Sequence, residues 1–211
     1  KSLQFYINGI DAGSSTSSSI TIGEGFGSPL YFGKQGAACN CNYADMMMDE
    51  ARVWNKALTQ AEIREWMTKK LNSNHSSIGS LAAYFKADEN SGTTLTDVAF
   101  NNSGIFVNMT SSAWIPSGAA LGDSSVFAYP AASINITGNN NKTALSNFAG
   151  SADGVHLYFV NDTANQTAAP EGLDSLSANN GYYGTFITGG SNPTYDINLT
   201  YLTEPTNKLL E

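Results

Sequence analysis

The amino-acid sequence predicts an all-β protein, and three observations carry the prediction. Charged residues make up only 13% of the chain, while glycine contributes 20 of its 211 residues and Ser, Thr and Asn are abundant beside it. Such a composition favours strands joined by tight turns over long helices. Short apolar or aromatic runs recur between Asn, Gly and Pro signals about every ten residues, the spacing of small antiparallel sheets. Apolar residues at helical spacing are read at one place, residues 58–71.

In chain order, Leu3, Phe5 and Ile7 alternate with Gln4 and Tyr6, and Asn8-Gly9 supplies a hairpin turn. Ile20-Thr21-Ile22 resumes the strand after a Ser/Thr-rich loop, and Leu30-Tyr31-Phe32-Gly33 reads as a half-buried strand closed by a glycine. Residues 46–54 read as a central strand covered on both faces, because the simple alternation breaks there. Thr59-Gln60-Ala61-Glu62 then has the form of a capping box: the threonine hydroxyl accepts from the backbone three residues on, and Glu62 reaches back. Leu58, Ala61, Ile63, Trp66, Met67 and Leu71 follow at helical spacing, with Lys69 and Lys70 expected in the last turn. Residues 72–79 read as a polar linker in which His75 is solvated. From Ser124 onward, Val126-Phe127-Ala128-Tyr129, Ala132 to Ile136, Val155 to Val160, Tyr182 to Ile187 and Tyr195 to Tyr201 read as five or six short strands. They predict a small antiparallel β-sandwich of roughly 85 residues, enough for one sheet-on-sheet core.

The order of these pieces resembles a known family. Leu3-Gln4-Phe5-Tyr6-Ile7-Asn8-Gly9, then Leu30-Tyr31-Phe32-Gly33-Lys34, then Met48-Asp49-Glu50-Ala51-Arg52-Val53-Trp54-Asn55-Lys56-Ala57-Leu58-Thr59-Gln60-Ala61-Glu62-Ile63 resemble the back half of a laminin-G-like, concanavalin-A-like jelly roll. In that family a hairpin with the form YVNG, a strand with the form YIG and an ending of the form DEVR-x-YNRALS-x-x-EI come in this order. Here Met48 stands for the usual apolar residue before the acidic pair, and Trp54 for the commoner tyrosine. Leu81 to Asp97 (LAAYFKADENSGTTLTD) resembles the opening strand of the same family, and Ala113 to Asp123 (AWIPSGAALGD) a segment that trails such domains in Bacteroidota surface proteins. The fold implied is a partial jelly-roll sandwich with one short helix over residues 1–122, its trailing strands included, followed by a small β-sandwich module over 123–211. Since Lys1 falls inside a strand and only later strands precede the helix, the natural chain is expected to begin upstream and to continue past Tyr201.

Chemistry is sparse. Glycan-cleaving relatives of the jelly roll carry carboxylate pairs at E-x-x-x-E or E-x-D-x-x-E spacing on one strand. No such spacing falls on a strand here. Asp49 and Glu50 are adjacent, so on a strand they point to opposite faces, and hydrogen bonds to neighbouring loops are their expected role. There is no G-x-S-x-G elbow, and His75 and His156 are the only histidines, so a hydrolytic triad is not expected. His156 alternates with Val155 and Leu157 and is expected at the surface or satisfied within the sheet. Three fates are open to Cys39 and Cys41: a metal held with outside help, a strained local disulfide, or pairing with cysteines elsewhere.

Binding is the better expectation, and the chain is read as no enzyme. The resemblance implies a calcium ion held by rim loops, for which Asp88, Glu89, Asn90 and Asp97 supply oxygens beside a Ser-Gly turn; ordinary loop roles account for them equally. For sugars, aromatic faces are required, and Trp114, Tyr43, Tyr182 and Tyr183 are the candidates, with Trp114 the most open of them. Trp54 and Trp66 are expected in the core. Asp162-Thr163-Ala164 and Asp174-Ser175-Leu176 resemble the D-[ST]-apolar O-glycosylation acceptor of Bacteroidota, which marks Thr163 and Ser175. Sequons for N-glycosylation begin at Asn74, Asn101, Asn108, Asn135, Asn141, Asn161, Asn165 and Asn198, about twice the number expected by chance in so Asn- and Thr-rich a chain.

Charge narrows the partners. Residues 1–71 hold seven basic and seven acidic side chains, and residues 72–211 hold three and eleven, so the net charge of −8 resides in the second part. That balance argues against nucleic acid, and no apolar run approaches a membrane span. The reading is an adhesion or glycan-binding module of a secreted or cell-surface protein, whose partner is a polysaccharide or cell-surface glycan, or another surface protein. The alternatives are an accessory domain of a larger polysaccharide-degrading enzyme and a structural spacer in a repetitive adhesin.

Overall fold

The protein is described here from a computed structural model, which covers residues 2–16, 29–34, 42–162 and 181–201. The expected strand at Ile20-Thr21-Ile22 and the cysteines Cys39 and Cys41 lie outside the described residues. The fold is all-β with one short helix. Its contacts divide it into two compact units, one of Lys1–Tyr6, Asp11–Lys56 and Ser80–Ser117, the other of Ile7–Ile10, Ala57–Gly79 and Gly118–Glu211.

Most of β1 (Ser2–Ile7) and β2 (Ile10–Thr16) lies in the first unit and forms the expected hairpin; its turn, with Asn8 and Gly9 both at positive φ, belongs with Ile7–Ile10 to the second. The segment Leu30 to Gly33 is not a strand; Lys34 makes only an isolated antiparallel bridge to Tyr43. The strand expected over residues 46–54 is confined to β3 (Ala51–Trp54). Glu50 has φ 51°, a left-handed conformation that extended backbone does not allow, so the strand cannot run back through it. Met46 and Met47 are accordingly exposed rather than covered. β4 (Leu81–Phe85) returns antiparallel to β3, with Ala51 opposite Phe85 and Arg52 opposite Tyr84. β5 (Thr94–Leu95) and β6 (Gly104–Ile105) make a second small pair. Tyr84, Phe85 and Leu95 are buried, with Phe32 edge-on to Phe85 at 5.6 Å.

The second unit is a sandwich of two three-stranded antiparallel sheets. Its strands are β7 (Ser124–Ala128), β8 (Ile134–Gly138), β9 (Asn141–Ala149), β10 (Gly154–Val160), β11 (Tyr182–Thr188) and β12 (Thr194–Tyr201), ordered β11-β10-β7 and β12-β9-β8. Ile136, Leu145, Val155, Leu157 and Phe159 form the buried core between the sheets. Gly138 is required there, because a Cβ on it would meet the Phe159 ring at 2.5 Å. β10 is buried along nearly its whole length. Its outward residues are covered by the segment after α1 (Gln60–Trp66), whose Thr68 reaches His156.

α1 begins as its sequence requires. Thr59 accepts from the Glu62 amide, and Glu62 in turn accepts from the Thr59 amide at 2.8 Å. The helix ends earlier than its apolar spacing suggested. Met67 is its C-cap, and Lys69 and Lys70 lie beyond it, bound into an extended crossing in which Lys69 bridges Gly122 and Lys70 donates from its backbone to the Gly122 carbonyl. Residues 72–79 are not a free linker. The second Glu62 oxygen accepts from Ser76 and Ser77, and His75 is buried against Trp66 with ring centroids 4.9 Å apart, so the expected solvated histidine is instead a packing residue.

Candidate functional site

Each candidate residue was placed by the element that carries it. The four oxygens expected for calcium lie in the loop from β4 to β5 and just past it. Asp97 is fully buried, and its carboxylate accepts from the backbone amides of Tyr84 at 2.9 Å, Ala99 at 2.9 Å and Asn102 at 3.2 Å. Burial works to raise its pKa, but these amide bonds outweigh it and hold the group below the ordinary carboxylate value. Glu89 behaves alike: burial opposes ionisation, and the bond from the Thr96 amide at 2.7 Å prevails and lowers its pKa. Asn90 donates to the Asp88 carbonyl at 2.9 Å, while the Asp88 side chain is exposed. Two of the three carboxylates therefore organise their own loop. Among the described residues, no three His, Cys, Asp or Glu side chains gather in a way that would hold a metal ion.

The structure brings one aromatic candidate to this loop. The Trp114 indole N–H donates to the Gly92 carbonyl at 2.9 Å, and its ring lies 5.1 Å from Phe106. Trp114 is half-buried by these contacts. Tyr43 belongs to a different cluster of the same unit. Its bridge to Lys34 and the bond from the Ala44 amide to the Gly33 carbonyl at 2.9 Å fix its backbone. The Lys34 ammonium lies 5.4 Å from the Tyr31 ring centre and 5.8 Å from that of Tyr43, within cation–π range. Tyr43 keeps 57% of its surface exposed.

Tyr182 and Tyr183 are in the second unit, on β11, and the strand's alternation divides them. Tyr182 is exposed, whereas Tyr183 packs 5.0 Å from Phe159 and its hydroxyl engages the Gly138 amide and the Gly138 and Asn141 carbonyls. Tyr183 thus belongs to the sandwich core. Thr163 and Ser175 lie outside the described residues.

The acidic pair Asp49-Glu50 is divided between two partners. Glu50 accepts from the Tyr84 hydroxyl at 2.5 Å and from Arg52 at 2.6 Å, and Asp49 accepts from Ser117. Burial first, then the bond to Glu50, keeps the Tyr84 hydroxyl well above its ordinary pKa. These partners are those of a structural carboxylate pair. His156 takes the second of its two expected fates, fully buried and satisfied within the sheet, but sequence reasoning missed the polar cluster around it, in which it joins Thr68 to Tyr129. Nothing local signals it, since its members are 27 and 88 residues apart from the histidine in the chain.

Residues 1–64 match the laminin G family model described as the concanavalin A-like lectin/glucanases superfamily. That stretch carries the β1–β2 hairpin, Tyr43, β3 and most of α1. At a coarse level the match fits a binding module. No curated protein and no solved structure matches the chain. No helix among the described residues is long and apolar enough to cross a membrane.

Proposed function

We propose that the chain is a non-catalytic binding module of a secreted or cell-surface protein, and that it binds glycans through the face that presents Tyr43. The observation that carries this reading is the combination at Tyr43. An exposed ring stands on backbone anchored by a bridge, beside an ammonium group, inside the stretch that matches the lectin and glucanase superfamily. An exposed aromatic face offers a pyranose ring apolar contact, and the lysine offers its hydroxyl groups a donor. Trp114, set against Phe106 beside the Asp88 loop, and Tyr182 are the further aromatic positions to test. The Asp88–Asp97 loop is the place to look for calcium, with Asp88 the carboxylate most available to it.

The reading is tested by screening the folded chain on a glycan array, once in millimolar calcium and once with chelator. Binding in both conditions supports glycan recognition by the aromatic surface without an ion. Binding that chelator abolishes supports a calcium-dependent site and directs mutation to Asp88. Silence in both overturns the glycan reading and leaves a protein-binding or spacer role.

A further inference from the structure

The outer face of β10 carries a continuous chain of polar contacts that the proposed binding role does not use. Ser125 Oγ lies 2.6 Å from Thr68 Oγ1, which lies 3.0 Å from His156 Nδ1. On the other side of the ring, His156 Nε2 lies 2.7 Å from the Tyr129 hydroxyl, which donates to the Asn8 carbonyl at 2.9 Å. Asn8 belongs to the hairpin tip Ile7–Ile10, and its neighbour Gly9 is clamped from above. The Gly9 carbonyl accepts from Gln60 at 3.0 Å and from Arg64 at 2.8 Å, and the Arg64 guanidinium lies 4.0 Å over the Tyr129 ring.

The direction of the chain follows from one group that can only accept. A carbonyl has no proton, so Tyr129 must give its single hydroxyl proton to Asn8 and accept from His156. The imidazole therefore carries its proton on Nε2, and Nδ1 accepts from Thr68. A second proton on Nδ1 removes the acceptor that Thr68 uses. It also places a cation in a fully buried site. The groups that face the ring decide whether that cation is tolerated. Phe127 of β7 stacks on it at 5.6 Å, Phe186 of β11 lies at 6.2 Å, and Tyr129 meets it edge-on at 5.4 Å. Among the described residues, Arg64 of α1 is the charged group that acts on it, and it repels. Burial first, and Arg64 second, push the imidazole down to about 4.

We propose that this cluster is an acid-released latch on the hairpin tip: protonation of His156 forces water to the ring, displaces Tyr129, and frees the Asn8 carbonyl from the tyrosine hydroxyl. Tyr129 and Thr68 are the hydrogen-bonding groups over the ring's two nitrogens, so hydrating the imidazolium means moving one or both. Moving Tyr129 withdraws the hydroxyl that holds Asn8.

The test follows the imidazole ring signals and the amide-exchange protection factors of residues 7–10 in the full chain from pH 7.5 to pH 4, in wild type and Tyr129→Phe. In wild type, His156 is expected as the neutral Nε2–H form at pH 7. Tip protection is then expected to fall tenfold or more as pH drops from 6.5 to 4, with a ceiling on the order of a hundredfold set by the lowered proton affinity. In Tyr129→Phe the tip is expected to be weakly protected already at pH 7, with the pH step gone. A His156 that titrates near 6.5 while tip protection stays constant overturns the proposal, as does a pH step that persists unchanged in Tyr129→Phe. If that variant does not fold, the wild-type coincidence between ring protonation and tip exchange decides.

Discussion

Asp97 shows what a buried carboxylate does in a loop of this kind. Three backbone amides converge on it from Tyr84, Ala99 and Asn102, so its removal strands donors, the buried Tyr84 amide first among them. Asp97→Ala is expected to destabilise the chain by about 3 kcal/mol or more, read as a lower urea midpoint with an unchanged slope. A loss under about 1 kcal/mol would mean that the amides find other partners. Gly9 makes a sharper steric case. It sits at φ 74°, and a Cβ there would meet the Arg64 side chain at 2.9 Å and the Tyr129 hydroxyl at 3.0 Å. Gly9→Ala is expected to cost about 1–3 kcal/mol in the same unfolding experiment, through both strain and displacement of the clamp.

At the scale of elements, what the sequence made legible was what is settled locally. The capping box of α1 could be read directly because its two reciprocal bonds join Thr59 to a residue three positions on. Its other function could not, since Glu62 also holds Ser76 and Ser77 after the helix has ended. Glu62→Ala is therefore expected to cost about 2 kcal/mol, more than Thr59→Ala at about 1 kcal/mol, because it removes the cap and the anchor together. Equal losses in urea unfolding would show that the serine contacts contribute nothing. Strand positions were legible for β10 and β11 from their alternating apolar runs, but the two-sided burial of β10 was not. Its outer cover is supplied by Thr68 and Tyr129, far away in the chain. Residues 46–49 failed as a strand for a similar reason: the turn at Glu50 is fixed by Tyr84 and Arg52, which no spacing in residues 46–54 announces. Of the aromatic candidates, periodicity could not separate Tyr182 from Tyr183, because both lie in one strand and only the position of the core decides which faces in.

For the molecule as a whole, the shifted groups fix two pH windows for stability. His156 has a folded pKa below its unfolded value near 6.5, so the unfolded chain binds the extra proton first. Its contribution is fully present above pH 6.5 and is lost as pH falls towards about 4. Asp97, Glu89 and Asp123 are also depressed, but from unfolded values near 4, so their contribution is lost only below that. Urea midpoints are expected to be level above pH 7, to decline gently between pH 6.5 and 4, and to fall steeply below pH 4. A midpoint that is flat down to pH 4 would contradict the assignment for His156. Glycan binding at Tyr43 is decided by comparing wild type and Tyr43→Ala side by side on a glycan array, both verified as folded. Wild type is expected to bind at least one glycan class, and Tyr43→Ala to lose tenfold or more of that affinity, ~1.4 kcal/mol. Equal binding by the two proteins, or none by wild type, would rule out Tyr43 as a glycan-binding residue.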